Sequence, residues 1–182
     1  GDSKVLAEFE DKGLLEILIQ NEGISEEENG TLGGNESAAE AIENNIRRII
    51  VDSNPLNPKF YQNLSQILDE LIEQRKKGAL DYEKYLKEVI GLAKQLKTKN
   101  MGKAYPVPVN TAAKQAIYDN FSQDIDWIAR LDETIKTYKP DGYIGNKMKE
   151  RELKRTIKPL SDEKNLDIDE LFEFIKLQED YQ

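Results

Sequence analysis

"PDGYIGNKMKERELK", residues 140–154, is the stretch on which the fold turns. Pro-Asp followed by Glu-x-Lys is the written form of a metal-dependent nuclease site, in which two carboxylates hold Mg²⁺ and a lysine steadies the attacking water or the developing phosphate charge. Asp141, Glu152 and Lys154 are the right residue types for it. That chemistry needs the acids on neighbouring strands, where Glu-x-Lys points both side chains the same way. On a helix the same glutamate and lysine lie about 200° apart and face opposite directions. The surrounding spacing favours the helix. Over 146–158, Lys147, Arg151, Lys154, Arg155 and Lys158 share one face, while Leu153, Ile157 and Leu160 share the opposite one. The stretch predicts an amphipathic helix with a basic outer side and assigns no catalytic or metal-ligating residue. A solvated face is the ordinary meaning of such a stripe; binding of phosphates or of an acidic partner is the functional one.

The flanking sequence carries the same period. Ser37 with Glu40 has capping-box spacing, and Ile42, Ile46, Ile49 and Ile50 form the stripe of a helix that stops near Asp52. In "SNPLNPK", Pro55 holds Asn54 extended, and Asn57 can cap a helix whose first residue is Pro58. That helix carries Tyr61, Leu64, Ile67, Leu68, Leu71 and Ile72, and Gly78 ends it. Asp81 caps a third, with Tyr82, Tyr85, Leu86, Val89, Ala93 and Leu96 on one side. After the loop "KNMGKAYPVPVN", further helices are expected near 110–120, 124–138, 146–158 and 167–181, the last opened by Asp167 with Glu170 at the capping-box position. The sole tryptophan, Trp127, reads as buried beside Ile128 and Leu131; Asp124, Asp126 and Asp132 around it lack the spacing of a calcium loop. No stretch alternates with period two long enough for a strand. The expected fold is all-α, an irregular bundle of about six to eight helices.

At 182 residues the chain is long enough to bury roughly 70% of its unfolded surface. There is no cysteine, which rules out disulfides and fits a reducing cytoplasm, and no histidine, which removes every Ser-His, Cys-His and His-metal constellation. No apolar run approaches the ~20 residues of a membrane span. "GYIGNK" has the wrong glycine spacing for a phosphate loop, so no ATP site is expected. The net charge of −9 opposes a chain-wide electrostatic clamp on DNA but not a local basic patch. The start, "GDSKVLAEF", lacks methionine and runs into an amphipathic pattern, as a piece of a longer protein would. The expected organisation is an N-terminal helix within 1–20 continuing from an upstream region, an acidic glycine-rich linker over 21–36, and a helical domain over 37–182.

The stretch 36–97, with "AIENNIRRII", the "NPLNPKFY" turn and "LDELIEQRKKGALDYEKYL", resembles the C-terminal helical region of the restriction, or motor, subunit of type I restriction enzymes. "AAKQAIYDNF" and "GNKMKERELKRTI" fit the same region in the same order, so the similarity covers most of 36–158. In that family the endonuclease and the two ATPase domains, with their ATP and Mg²⁺, lie upstream. The resemblance therefore implies that the string at 140–154 is not the family's cutting site, and that the chain is not itself an enzyme and carries no cofactor. It implies an assembly role, beside the motor domains of the same chain, in docking the subunit onto the modification methyltransferase core and its DNA. The expected docking surface includes Asn44, Asn45, Arg47 and Arg48 with the turn residues Asn54, Asn57 and Tyr61. Asparagine is unfavourable inside a helix, so Asn44 and Asn45 call for a hydrogen-bonding job or brace the following turn. Arg47 and Arg48 have Glu43 as an alternative ion-pair partner, worth ~0.3–0.5 kcal/mol if exposed. The other reading is a module that binds the DNA backbone through Lys147, Arg151, Lys154, Arg155 and Lys158.

Overall fold

The computed structural model describes residues 35–98 and 105–182. The expected N-terminal helix within 1–20 and most of the 21–36 linker lie outside the described residues. Those described form seven α-helices and two short 3-10 turns, with no strand among them, so the chain is all-α. The helices are α1 (Asn35–Ser53), α2 (Pro58–Lys76), α3 (Tyr82–Thr98), α4 (Ala112–Asn120), α5 (Ile125–Tyr138), α6 (Lys147–Glu163) and α7 (Ile168–Leu177). The 3-10 turns are Asn54–Leu56 and Glu179–Tyr181. The described residues divide into two compact units, 35–54 with 61–98 and 55–60 with 105–182.

In the first unit, Ile42, Ile46 and Ile50 follow one another at four-residue steps, so all three face inward from α1. They share a core with Tyr61, Leu64 and Leu68 of α2 and with Tyr85, Val89 and Ala93 of α3. Asp81 caps α3, its carboxylate accepting from Lys84 N at 2.9 Å. Gly78, at φ 71°, ends α2 in the manner of a Schellman motif: its N–H reaches Arg75 O at 3.1 Å and that of Ala79 reaches Gln74 O at 3.0 Å. The capping box expected from Ser37 and Glu40 is not the start of α1. The helix begins at Asn35, with Ser37 already inside it and Glu36 in the first turn, where an acid complements the helix dipole.

This unit also holds a buried ionic cluster. Arg75 and Glu43 are both nearly buried, and Arg75 Nε donates to Glu43 Oε1 at 2.9 Å. The Tyr85 hydroxyl donates to the same oxygen at 3.1 Å, and Arg75 also pairs with Glu36 at 2.6 Å. Glu43 therefore does not serve Arg47 or Arg48. It sits one residue from Ile42 on the inward side of α1, where a carboxylate is tolerated only with partners.

The second unit packs α4 to α7 around Trp127, Ile128, Leu131, Leu153, Ile157 and Phe172. Thr111, Asp124, Asn146 and Asp167 cap α4, α5, α6 and α7, each accepting from the backbone N–H three residues on. Two boundaries differ from expectation. α6 continues through Pro159 to Glu163, because Pro159 and Arg155, whose carbonyl loses its helical donor there, are both exposed and water can substitute. The helix ends on Asn165 at φ 54°, with Asn165 N on Asp162 O at 3.1 Å and Leu166 N on Ser161 O at 3.0 Å, a second Schellman closure. The last helix stops at Leu177. Gln178 turns extended, its amide donating to Leu56 O at 3.0 Å and Phe174 O at 3.3 Å, and the following 3-10 turn brings Tyr181 into the core.

Candidate functional site

α6 is anchored at both ends. At its start, Gly142 (φ 64°) and Gly145 (φ 85°) allow the tight turn that buries Tyr143, whose hydroxyl donates to Tyr181 O at 2.6 Å. Lys149 Nζ donates to Asp141 O at 2.6 Å, and the Asn146 side chain accepts from Lys149 N at 3.1 Å. Leu153 and Ile157 are fully buried beneath the helix, and Trp127 Nε1 donates to Leu160 O at 2.9 Å, satisfying one of its terminal carbonyls.

The five basic residues read from the sequence fall on the outward side, and the structure sorts them into two sets. Lys154 is half-buried: it pairs with Asp169 at 2.9 Å and lies over the Phe172 ring at 5.3 Å. Lys158 pairs with Asp162 at 2.8 Å along the helix. Lys147, Arg151 and Arg155 are exposed and make no ion pair with any described residue. They stand at four-residue steps along one ridge, and Lys147, Arg151, Glu150 and Lys154 line an open depression.

Glu150, Glu163 and Asp124 are occupied. Glu150 accepts from Lys176 at 2.5 Å, which holds its carboxyl below the usual range and raises the Lys176 ammonium. Arg130 forks onto Glu163 at 2.6 and 2.9 Å, and Lys164 reaches Asp124 at 2.7 Å, each lowering its carboxylate partner. Glu152 is exposed, about 100° around the helix from Arg151. Asp141, Glu152 and Lys154 do not form the strand-borne geometry of a nuclease site, since the last two point to different sides of α6. Among the described residues, no group of three or more acidic side chains is gathered as a metal ion would need.

The residues expected to form a docking surface are placed unevenly. Asn44 and Arg48 are exposed on α1. Asn45 is only 7% exposed, and Arg47 is tied to Ser65 Oγ at 3.2 Å and to Asp69. Asn54 is half-buried in the 3-10 turn, and Tyr61 is buried with the Ser53 side chain on its hydroxyl. Asn57 donates to Asp119 at 2.9 Å, and its carbonyl accepts from Asn120 at 2.6 Å and from Phe60 N at 3.3 Å. Asn57 belongs to the second unit and the others to the first, so they do not make one surface within either.

The buried partners Arg75 with Glu43 and Tyr181 with Asp132 were not singled out by sequence, because they stand 32 and 49 residues apart. No helix among the described residues is long and apolar enough to cross a membrane. Comparison with protein-family models, with curated proteins and with solved structures finds no match to the chain.

Proposed function

We propose that the chain is a non-catalytic helical assembly module of a type I restriction motor subunit, which helps dock that subunit onto its modification methyltransferase core and DNA in the cytoplasm. The sequence resemblance over 36–158 supports this reading, as does an all-helical architecture whose polar clusters serve packing. ATP and Mg²⁺ belong, on the same reading, to the motor domains upstream. The observation that carries it is the ridge of Lys147, Arg151 and Arg155, exposed and without ion-pair partners among the described residues, while Glu150, Lys154 and Lys158 on the same helix are paired. A fixed row of unpaired cations is suited to an anionic partner.

A second reading is favoured by the same ridge: a module that binds the DNA backbone without the methyltransferase. Co-elution of the chain with a type I methyltransferase core, with and without DNA at near-physiological salt, separates them. Retention on the core alone supports protein docking, and retention only with DNA present supports docking across the nucleic acid. Retention by DNA but not by core supports the second reading. No retention in any arm overturns both.

A further inference from the structure

We propose that the ligand of the α6 ridge is the phosphodiester backbone of a nucleic acid, contacted by Lys147, Arg151 and Arg155, with Lys154 and Lys158 taking no part. The inference rests on the proposed role of α6 and names its partner. Four-residue steps place the three cations about 6 Å apart along the helix axis, so they span about 12 Å. A duplex presents about seven phosphate charges over that length, one per ~1.7 Å of axis, so each cation has a phosphate within reach. The guanidinium forks of Arg151 and Arg155 suit phosphate oxygens.

An acidic protein surface is the poorer fit. Protein interfaces are built around a dehydrated apolar or aromatic centre from which charge is depleted. Of the exposed large apolar residues only Met148 lies on α6, with Ile144 in the turn before it and Tyr138, the one exposed aromatic among the described residues, at the end of α5. Lys154 is excluded by its pairing with Asp169 and its seat over Phe172, and Lys158 by its pairing with Asp162. A cation already matched with a carboxylate has little counter-ion to exchange for a phosphate.

The test is the salt dependence of duplex binding by the whole chain, read as fluorescence anisotropy of a labelled mixed-sequence duplex between about 50 and 200 mM salt. Three contacts predict a slope of log K against log salt of about −2.7, and alanine at Lys147, Arg151 or Arg155 should each flatten it by about 0.9. Lys154→Ala and Lys158→Ala should leave it unchanged. Asp162→Asn, which frees Lys158, should steepen it to about −3.6. Slopes that fall equally for Lys154→Ala or Lys158→Ala overturn the division of the face. Binding unaffected by any of the substitutions moves the site off α6. Absence of duplex binding at low salt overturns the nucleic-acid ligand, while retention on the methyltransferase core alone would leave the docking role standing.

Discussion

Replacing Tyr181 with phenylalanine removes one hydroxyl from the second unit and little else. Tyr181 is fully buried, and its hydroxyl donates to Asp132 Oδ1 at 2.6 Å. Asp132 is 6% exposed, with Lys136 Nζ at 3.1 Å and Lys114 Nζ at 3.9 Å. A hydrogen bond to a charged acceptor contributes about 1.5–3 kcal/mol, and its loss leaves a buried carboxylate short of a donor. Lys136 remains and offsets part of this, and the phenyl ring leaves no cavity. The expected loss is about 2 kcal/mol, roughly a thirty-fold shift in the folding equilibrium. Urea unfolding followed by the emission of Trp127 reads it directly, because that residue is the only tryptophan and is fully buried in the same unit. Asp132→Ala and the double variant complete a cycle whose coupling should be about 1.5–2 kcal/mol. A loss below about 0.5 kcal/mol, within the range of ordinary surface substitutions, or a coupling of zero refutes the reasoning.

Three further outcomes follow from the packing. Asn57→Ala should cost about 1–2 kcal/mol in thermal unfolding, since the side chain caps α2 and bonds Asp119 and Asn120; Asn57→Asp should not restore it, because a second carboxylate would face Asp119. Arg75→Met should cost about 3 kcal/mol in urea unfolding by stranding Glu43, whereas Arg75→Met with Glu43→Leu should recover most of that. Burial, together with the partners Asp132 and Glu43, holds the Tyr181 and Tyr85 hydroxyls above the ordinary tyrosine range. In the unfolded chain they deprotonate near pH 10, so above that pH the unfolded state binds fewer protons than the native one. Their contribution is therefore complete below about pH 10 and declines as pH rises further, a fall in urea midpoint that Tyr181→Phe should reduce.

Much of the fold is legible in local sequence because local chemistry determines it. Asn57, Asp81 and Asp167 stand where a short side-chain oxygen can reach the N–H three residues on, and Gly78 supplies the left-handed residue that ends α2. The stripe of Leu153 and Ile157 set the orientation of α6, and with it the outward course of the basic face. What escaped local reading depends on partners distant in sequence. Pro159 is harmless in α6 because that side meets water, and the helix expected to run to 181 breaks at Gln178 because Tyr181 has a buried partner 49 residues away. For the site, sequence marks five cations on one face but not that Lys154 and Lys158 are matched by Asp169 and Asp162. Of the docking candidates, only the structure distinguishes exposed Asn44 and Arg48 from the internally bonded Asn57, Arg47 and Tyr61.

The claim that the α6 ridge engages an anionic partner is tested most directly by reversing its charge, with Arg151→Glu and Arg155→Glu together, and measuring retention of the chain on a type I methyltransferase core bound to DNA. Both residues are exposed and unpaired, so the Trp127 unfolding transition should stay where it is while retention falls to the background of the core-free control. Retention equal to that of the unaltered chain, with folding intact, would contradict the assignment of this ridge as the docking surface.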